Sequence, residues 1–97
     1  PFKQTGGQGN EYILSWEKPA EIIHVVMQED ITQGERVRKY ILEGKAGKKW
    51  VRLAEGSCVG HKRIELLENS PLLSALRLRI VESADTPFIK NLSVYTK

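Results

Sequence analysis

Residues Ile22 to Val51, IIHVVMQEDITQGERVRKYILEGKAGKKWV, decide the fold. Ile22 to Gln28 is rich in β-branched residues, too short for an ordinary helix, and closed by the acidic corner Gln28-Glu29-Asp30. That composition predicts a strand buried on at least one face. Ile31 to Glu35 reads as a loop in which Gly34 supplies a positive φ. From Val37 to Lys45 the chain alternates: Tyr40, Leu42 and Gly44 fall on one face, Ile41, Glu43 and Lys45 on the other. Lys49 to Ala54 returns across Ala46-Gly47-Lys48 as the second arm of a hairpin, with Tyr40 and Trp50 both predicted to pack inward.

The same grammar extends outward. Pro1 to Asn10 holds three glycines and no apolar period, so residues 1–10 read as a loop leading into a folded unit at 11–97. Tyr12 to Trp16 predicts a strand closed by Lys18-Pro19. His61 to Leu67 predicts another, in which Arg63 and Glu65 alternate with Ile64 and Leu66. Leu72 to Ala75 reads as a single helical turn after Ser70-Pro71. Leu76, Leu78 and Ile80 then alternate cleanly with Arg77, Arg79 and Val81, and Pro87 precedes a last strand, Phe88 to Tyr95. About seven short strands without an amphipathic helix predict an all-β, antiparallel β-sandwich. Periodicity fits an immunoglobulin-like topology as well as a jelly roll.

The chain has 97 residues, enough for one domain, with 15 basic and 12 acidic side chains interleaved along it. Nucleic-acid binders concentrate positive charge in a stripe with stacking aromatics, so no nucleic-acid partner is expected. No apolar run approaches the ~20 residues that span a bilayer, and no membrane partner is expected either. Cys58 is the only cysteine. Neither His24 nor His61 has a neighbour at metal-ligand spacing, so no metal site is predicted. The chain starts at Pro1 without an initiator Met or a signal region and reads as part of a longer polypeptide.

Several pieces together carry a resemblance. They are Ile23 to Val37 with its Gln-Glu-Asp corner, the hairpin ending in Trp50, Leu53-Ala54-Glu55-Gly56, and Gly60-His61-Lys62-Arg63. To these add Leu76-Arg77-Leu78-Arg79-Ile80, and Glu82-Ser83-x-x-x-Pro87-x-Ile89 followed by Val94-Tyr95. This set resembles the discoidin-like (F5/8 type C, galactose-binding-like) β-sandwich at the C-terminal end of bacterial α-L-fucosidases of glycoside hydrolase family 29. The resemblance implies a jelly roll and a non-catalytic accessory role. It also implies a catalytic barrel domain in the same polypeptide as partner, fucosylated or galactose-containing glycans as ligands, and a periplasmic or secreted location. No cofactor is expected. The calcium site that complete modules often hold belongs to an opening that is here replaced by a short Gly-rich lead, so the resemblance implies either an abbreviated module or one whose N-terminal strands lie outside this sequence.

Glycoside cleavage requires two carboxylates facing each other about 5 to 10 Å apart. Glu29 and Asp30 are chain neighbours whose side chains point to opposite faces of a strand, so no catalytic residue is assigned. They read either as a corner that hydrogen-bonds loop backbone or pairs with Arg36 or Arg38, or as a contact with sugar hydroxyls or a neighbouring domain. The candidate ligand or domain contacts are Glu29, Asp30, Arg36, His61, Arg63, Glu82 and Asp85. The loop from Glu82 to Pro87 is of first interest, because binding residues gather at the loop ends of rigid sandwiches.

Overall fold

The computed structural model describes residues 2–32 and 34–96. Its strands are β1 (Lys3–Gln8), β2 (Glu11–Ala20), β3 (Ile22–Glu29), β4 (Val37–Ala46), β5 (Lys49–Gly56), β6 (Arg63–Leu66), β7 (Leu73–Ser83) and β8 (Phe88–Thr96). They form two antiparallel four-stranded sheets, ordered β1-β8-β3-β6 and β2-β7-β4-β5. Successive strands cross between the sheets except at the β4–β5 hairpin, which is the order of an eight-stranded jelly roll and not of an immunoglobulin sandwich.

Inward-facing residues of the central strands make the core. Val25 and Met27 of β3, with Leu92 and Val94 of β8, meet Tyr40 and Leu42 of β4 and Leu76, Leu78 and Ile80 of β7. Leu42 lies directly opposite Leu78, and Val25 opposite Val94, so the register aligns the apolar set of each sheet on one side. Emptying one such position, Leu78→Ala, costs about 2–5 kcal/mol in transfer and cavity terms.

Three expectations need correction. Lys3–Gln8, read as a loop, is β1, the outer strand of the β1-β8-β3-β6 sheet. β1 is a polar edge strand held by its ladder to β8. A Cβ at Gly6 would lie 2.8 Å from the carbonyl oxygens of Ile89 and Lys90, so glycine permits the approach. Leu72 to Ala75 is not a helical turn, because β7 begins at Leu73, which pairs with Ala20 and accepts a 2.7 Å hydrogen bond from the Trp16 indole N–H. Trp50 does not pack inward. It lies opposite Lys45 on the outer face of its sheet, under the Arg77 guanidinium at 4.2 Å.

Antiparallel connectivity divides the loops between two ends. The β1–β2, β3–β4, β5–β6 and β7–β8 loops gather at one end. The other end holds the β2–β3, β4–β5 and β6–β7 connections together with Phe2 and Thr96.

Candidate functional site

The end distant from Phe2 and Thr96 is knitted by backbone hydrogen bonds between loops. Glu29 N–H donates to Gly60 O at 3.0 Å, Asp30 N–H to Phe88 O at 2.9 Å, Gly9 N–H to Pro87 O at 3.1 Å, and Ala84 N–H to Arg36 O at 2.8 Å. Four connections remote in sequence therefore act as one surface.

Glu29 and Asp30, neighbours on an extended chain, do different work there. Glu29 is buried, 2% exposed, and its Oε2 accepts from the backbone N–H groups of Arg36 (2.7 Å) and Val37 (3.1 Å). It fastens the start of β4 to the end of β3 and cannot touch a ligand. Asp30 is exposed. Its Oδ1 accepts from the Thr32 N–H (3.1 Å) and hydroxyl (2.8 Å), closing a local turn in which Gly34 takes a φ of 90°. Those two hydrogen bonds, with the charges of Lys90 and Arg36, hold the Asp30 carboxyl below its ordinary range.

Arg36 reaches across to the β7–β8 loop. Its guanidinium donates to Thr86 O at 2.9 Å and lies 5.3 Å from the centre of the Phe88 ring. Asp30, Thr32, Arg36 and Phe88 line an open cleft of about 320 Å³. It presents a carboxylate, a hydroxyl, a guanidinium and a ring, a combination suited to orienting a polar, uncharged ligand. Among the described residues Asp30 is the only carboxylate lining it, and an opposed pair of the kind glycoside hydrolysis uses is not formed there.

The remaining candidates diverge. His61 is exposed in the β5–β6 loop at the same end. Arg63 opens β6 and turns to Glu65, with 3.2 Å between Nε and Oε1. Glu82 lines a second depression of about 330 Å³ with Arg38, Lys39 and Ser57. Asp85 accepts from the Thr86 N–H at 2.7 Å and shapes the β7–β8 turn. Two cleft residues, Thr32 and Phe88, were not among the candidates. Phe88 follows the Pro87 turn signal and opens β8, which placed it at a loop end. Among the described residues no three His, Cys, Asp or Glu side chains converge as metal ligands.

Across its whole length the chain superimposes on part of a protein assigned as an alpha-L-fucosidase from Bacteroides thetaiotaomicron VPI-5482. The TM-score is 0.95 at 38% identity, covering 100% of this chain and 22% of that one. A protein assigned as an alpha-L-fucosidase from Bacteroides ovatus ATCC 8483 gives a TM-score of 0.81 at 28% identity, covering 98% of this chain and 16% of that one. A glycoside hydrolase 29 family member from an unknown rumen bacterium gives 0.81 at 31%, covering 91% and 17%. No family model and no curated protein matches the chain. The chain spans about a fifth of the length of these solved structures and matches a small domain within them.

Proposed function

We propose that the chain is the non-catalytic C-terminal accessory sandwich of an α-L-fucosidase, of the discoidin-like, galactose-binding-like kind, packed on the catalytic barrel of the same polypeptide. The single observation behind this reading is the end-to-end likeness, at 38% identity, to about a fifth of a chain assigned as an alpha-L-fucosidase. The parent hydrolyses terminal α-L-fucose from glycans with retention, in the periplasm or outside the cell. Its two carboxylates, about 5 Å apart in a retaining site, lie in the barrel. The accessory unit contributes the cleft of Asp30, Thr32, Arg36 and Phe88 as a contact for fucosylated or galactose-containing glycans at the rim of the substrate entrance. It uses no cofactor.

The test is fucose release by the parent polypeptide from α-fucosylated glycans. Turnover by the parent and none by residues 1–97 alone is the expected result. A parent that turns over no fucoside sinks the reading. An independent carbohydrate-binding module is a second reading, supported by the ring and polar groups that share the cleft. It predicts calorimetric heat when residues 1–97 meet fucose- or galactose-containing glycans, and no heat would count against it.

A further inference from the structure

The β6 strand is inverted. Glu65 lies opposite the core residue Val25 and Arg63 opposite Met27, so the polar side chains of β6 point toward the gap between the sheets. Ile64 and Leu66 point the other way and are 48% and 74% exposed. That orientation leaves two large aliphatic side chains side by side in water on the outer side of the sheet.

The rest of that outer face has the same character. Leu66 lies opposite His24, which lies opposite Tyr95, and the His24 and Tyr95 rings stack at 4.4 Å. Ile64 lies opposite Val26, which lies opposite Ser93, and Val26 and Ser93 are the low floor of the face at 7% and 1% exposed. Gln28, Asn91 and Ser93 continue it across β3 and β8 through side-chain hydrogen bonds, and Gln4 of β1 lies opposite Ser93. No Asp, Glu, Lys or Arg stands at any of these outward positions, although 28% of the chain is charged. The outer face of the opposite sheet is built otherwise, with Glu43 clasped by Arg77 and Arg79. Depletion of charge at its centre marks a face that is covered by protein.

We infer that the outer face of the β1-β8-β3-β6 sheet, centred on Ile64, Leu66, Val26 and the His24–Tyr95 stack, is the surface by which this domain docks on the catalytic domain of its own polypeptide. The inference rests on the accessory reading above and names the contact it requires. Two observations select that occupant. The matching chains hold this fold as about a fifth of one polypeptide, so a larger domain is tethered to it at all times. Phe2 and Thr96 lie at the end of the sandwich where the Leu66–His24–Tyr95 row crosses the sheet, so chain continuing from either emerges beside the row. A permanent, tethered neighbour suits an uncharged face better than a transient one.

The experiment uses the parent polypeptide carrying Leu66→Glu or Ile64→Glu, with Ile13→Glu on the opposite outer face as control; Ile13 is 50% exposed and lies opposite Arg77. Amide hydrogen exchange is read on both domains. Wild-type amides of β3 and β8 should stay protected in every variant, which reports an intact sandwich. Leu66→Glu and Ile64→Glu should accelerate exchange in the facing segment of the catalytic domain by about tenfold, the loss expected for a buried contact residue. A milder Leu66→Ser should give the same pattern if the Glu variants unfold. Unchanged exchange in the catalytic domain, or acceleration by Ile13→Glu instead, would overturn the docking face. So would a wild-type dimer that Leu66→Glu dissociates, since the occupant would then be a second copy. Loss of protection as described in a parent lacking fucosidase activity would support the face while removing the function proposed above.

Discussion

Tyr40 and Glu65 belong to different sheets, yet the Tyr40 hydroxyl donates to Glu65 Oε1 at 2.5 Å, and Arg63 Nε approaches the same oxygen at 3.2 Å. This pair ties the short β6 to the opposite layer and accounts for the inward turn of its polar side chains.

Burial, and then the hydrogen bond and charge of Glu65, push the Tyr40 phenol well above its ordinary 10.0. Because the folded value exceeds the unfolded one, the stabilisation is complete below pH 10 and is lost as pH climbs through the raised folded value. Tyr40→Phe should cost about 1.5–3 kcal/mol at neutral pH, the usual worth of a hydrogen bond to a charged group. Urea unfolding checks the cost. Ultraviolet titration should lose a late-ionising tyrosine phase in the variant, and an unchanged titration curve would refute the assignment.

Glu29 predicts the mechanical coherence of the loop end. Glu29→Ala leaves the N–H groups of Arg36 and Val37 without their acceptor and should cost about 2–4 kcal/mol. Glu29→Gln keeps one carbonyl acceptor and should cost less. Equal losses in the two variants, measured by denaturant unfolding, would show that the acceptor is not what matters.

Glu43 sets an acid limit. Burial alone would raise its pKa, but the hydrogen bonds and charges of Arg77 and Arg79 outweigh that and hold it below the usual 4.5. A depressed carboxyl stabilises above its unfolded pKa and loses that contribution as pH falls through the folded value. Thermal unfolding should therefore show a decline below about pH 4.5 that Glu43→Gln flattens. A variant as acid-sensitive as the wild type would contradict this.

The cleft can be tested in the parent enzyme. Arg36→Ala or Phe88→Ala should raise KM for extended fucosylated glycans by about two- to tenfold, the span of one lost polar contact, while a small aryl fucoside is turned over as before. Equal effects on both substrates would place these residues in support of the fold alone.

The fold was legible wherever burial wrote a period into the chain: Leu76, Leu78 and Ile80 of β7, or Tyr40 and Leu42 of β4. It was illegible in β1, whose residues KQTGGQ bury almost nothing and are held by backbone ladder bonds that no side-chain pattern records. Trp50 misled for a related reason. A large ring reads as core, yet its apolar surface is covered by Arg77 on the outer side. At the loop end, Asp30 and Arg36 were recognisable because loop residues with charge stand out. Phe88 joins them only through the jelly-roll crossing that brings the β3–β4 and β7–β8 loops together. The exposed Ile64 and Leu66 were visible as an alternation, but which side faced water depended on Tyr40, a partner 25 residues from Glu65.

The neighbouring placement of the two chain ends, with Phe2 N–H donating to Val94 O at 2.9 Å, governs how this domain bears tension. β1 and β8 are antiparallel partners, paired from Lys3 opposite Val94 to Gln8 opposite Phe88, with Phe2 and Thr96 at the same end of the pair. Pulling Phe2 and Thr96 apart would load their rungs one after another, as a zipper opens, and never all together in shear. Stretching such a unit should detach its first strand at low force while the remaining seven hold.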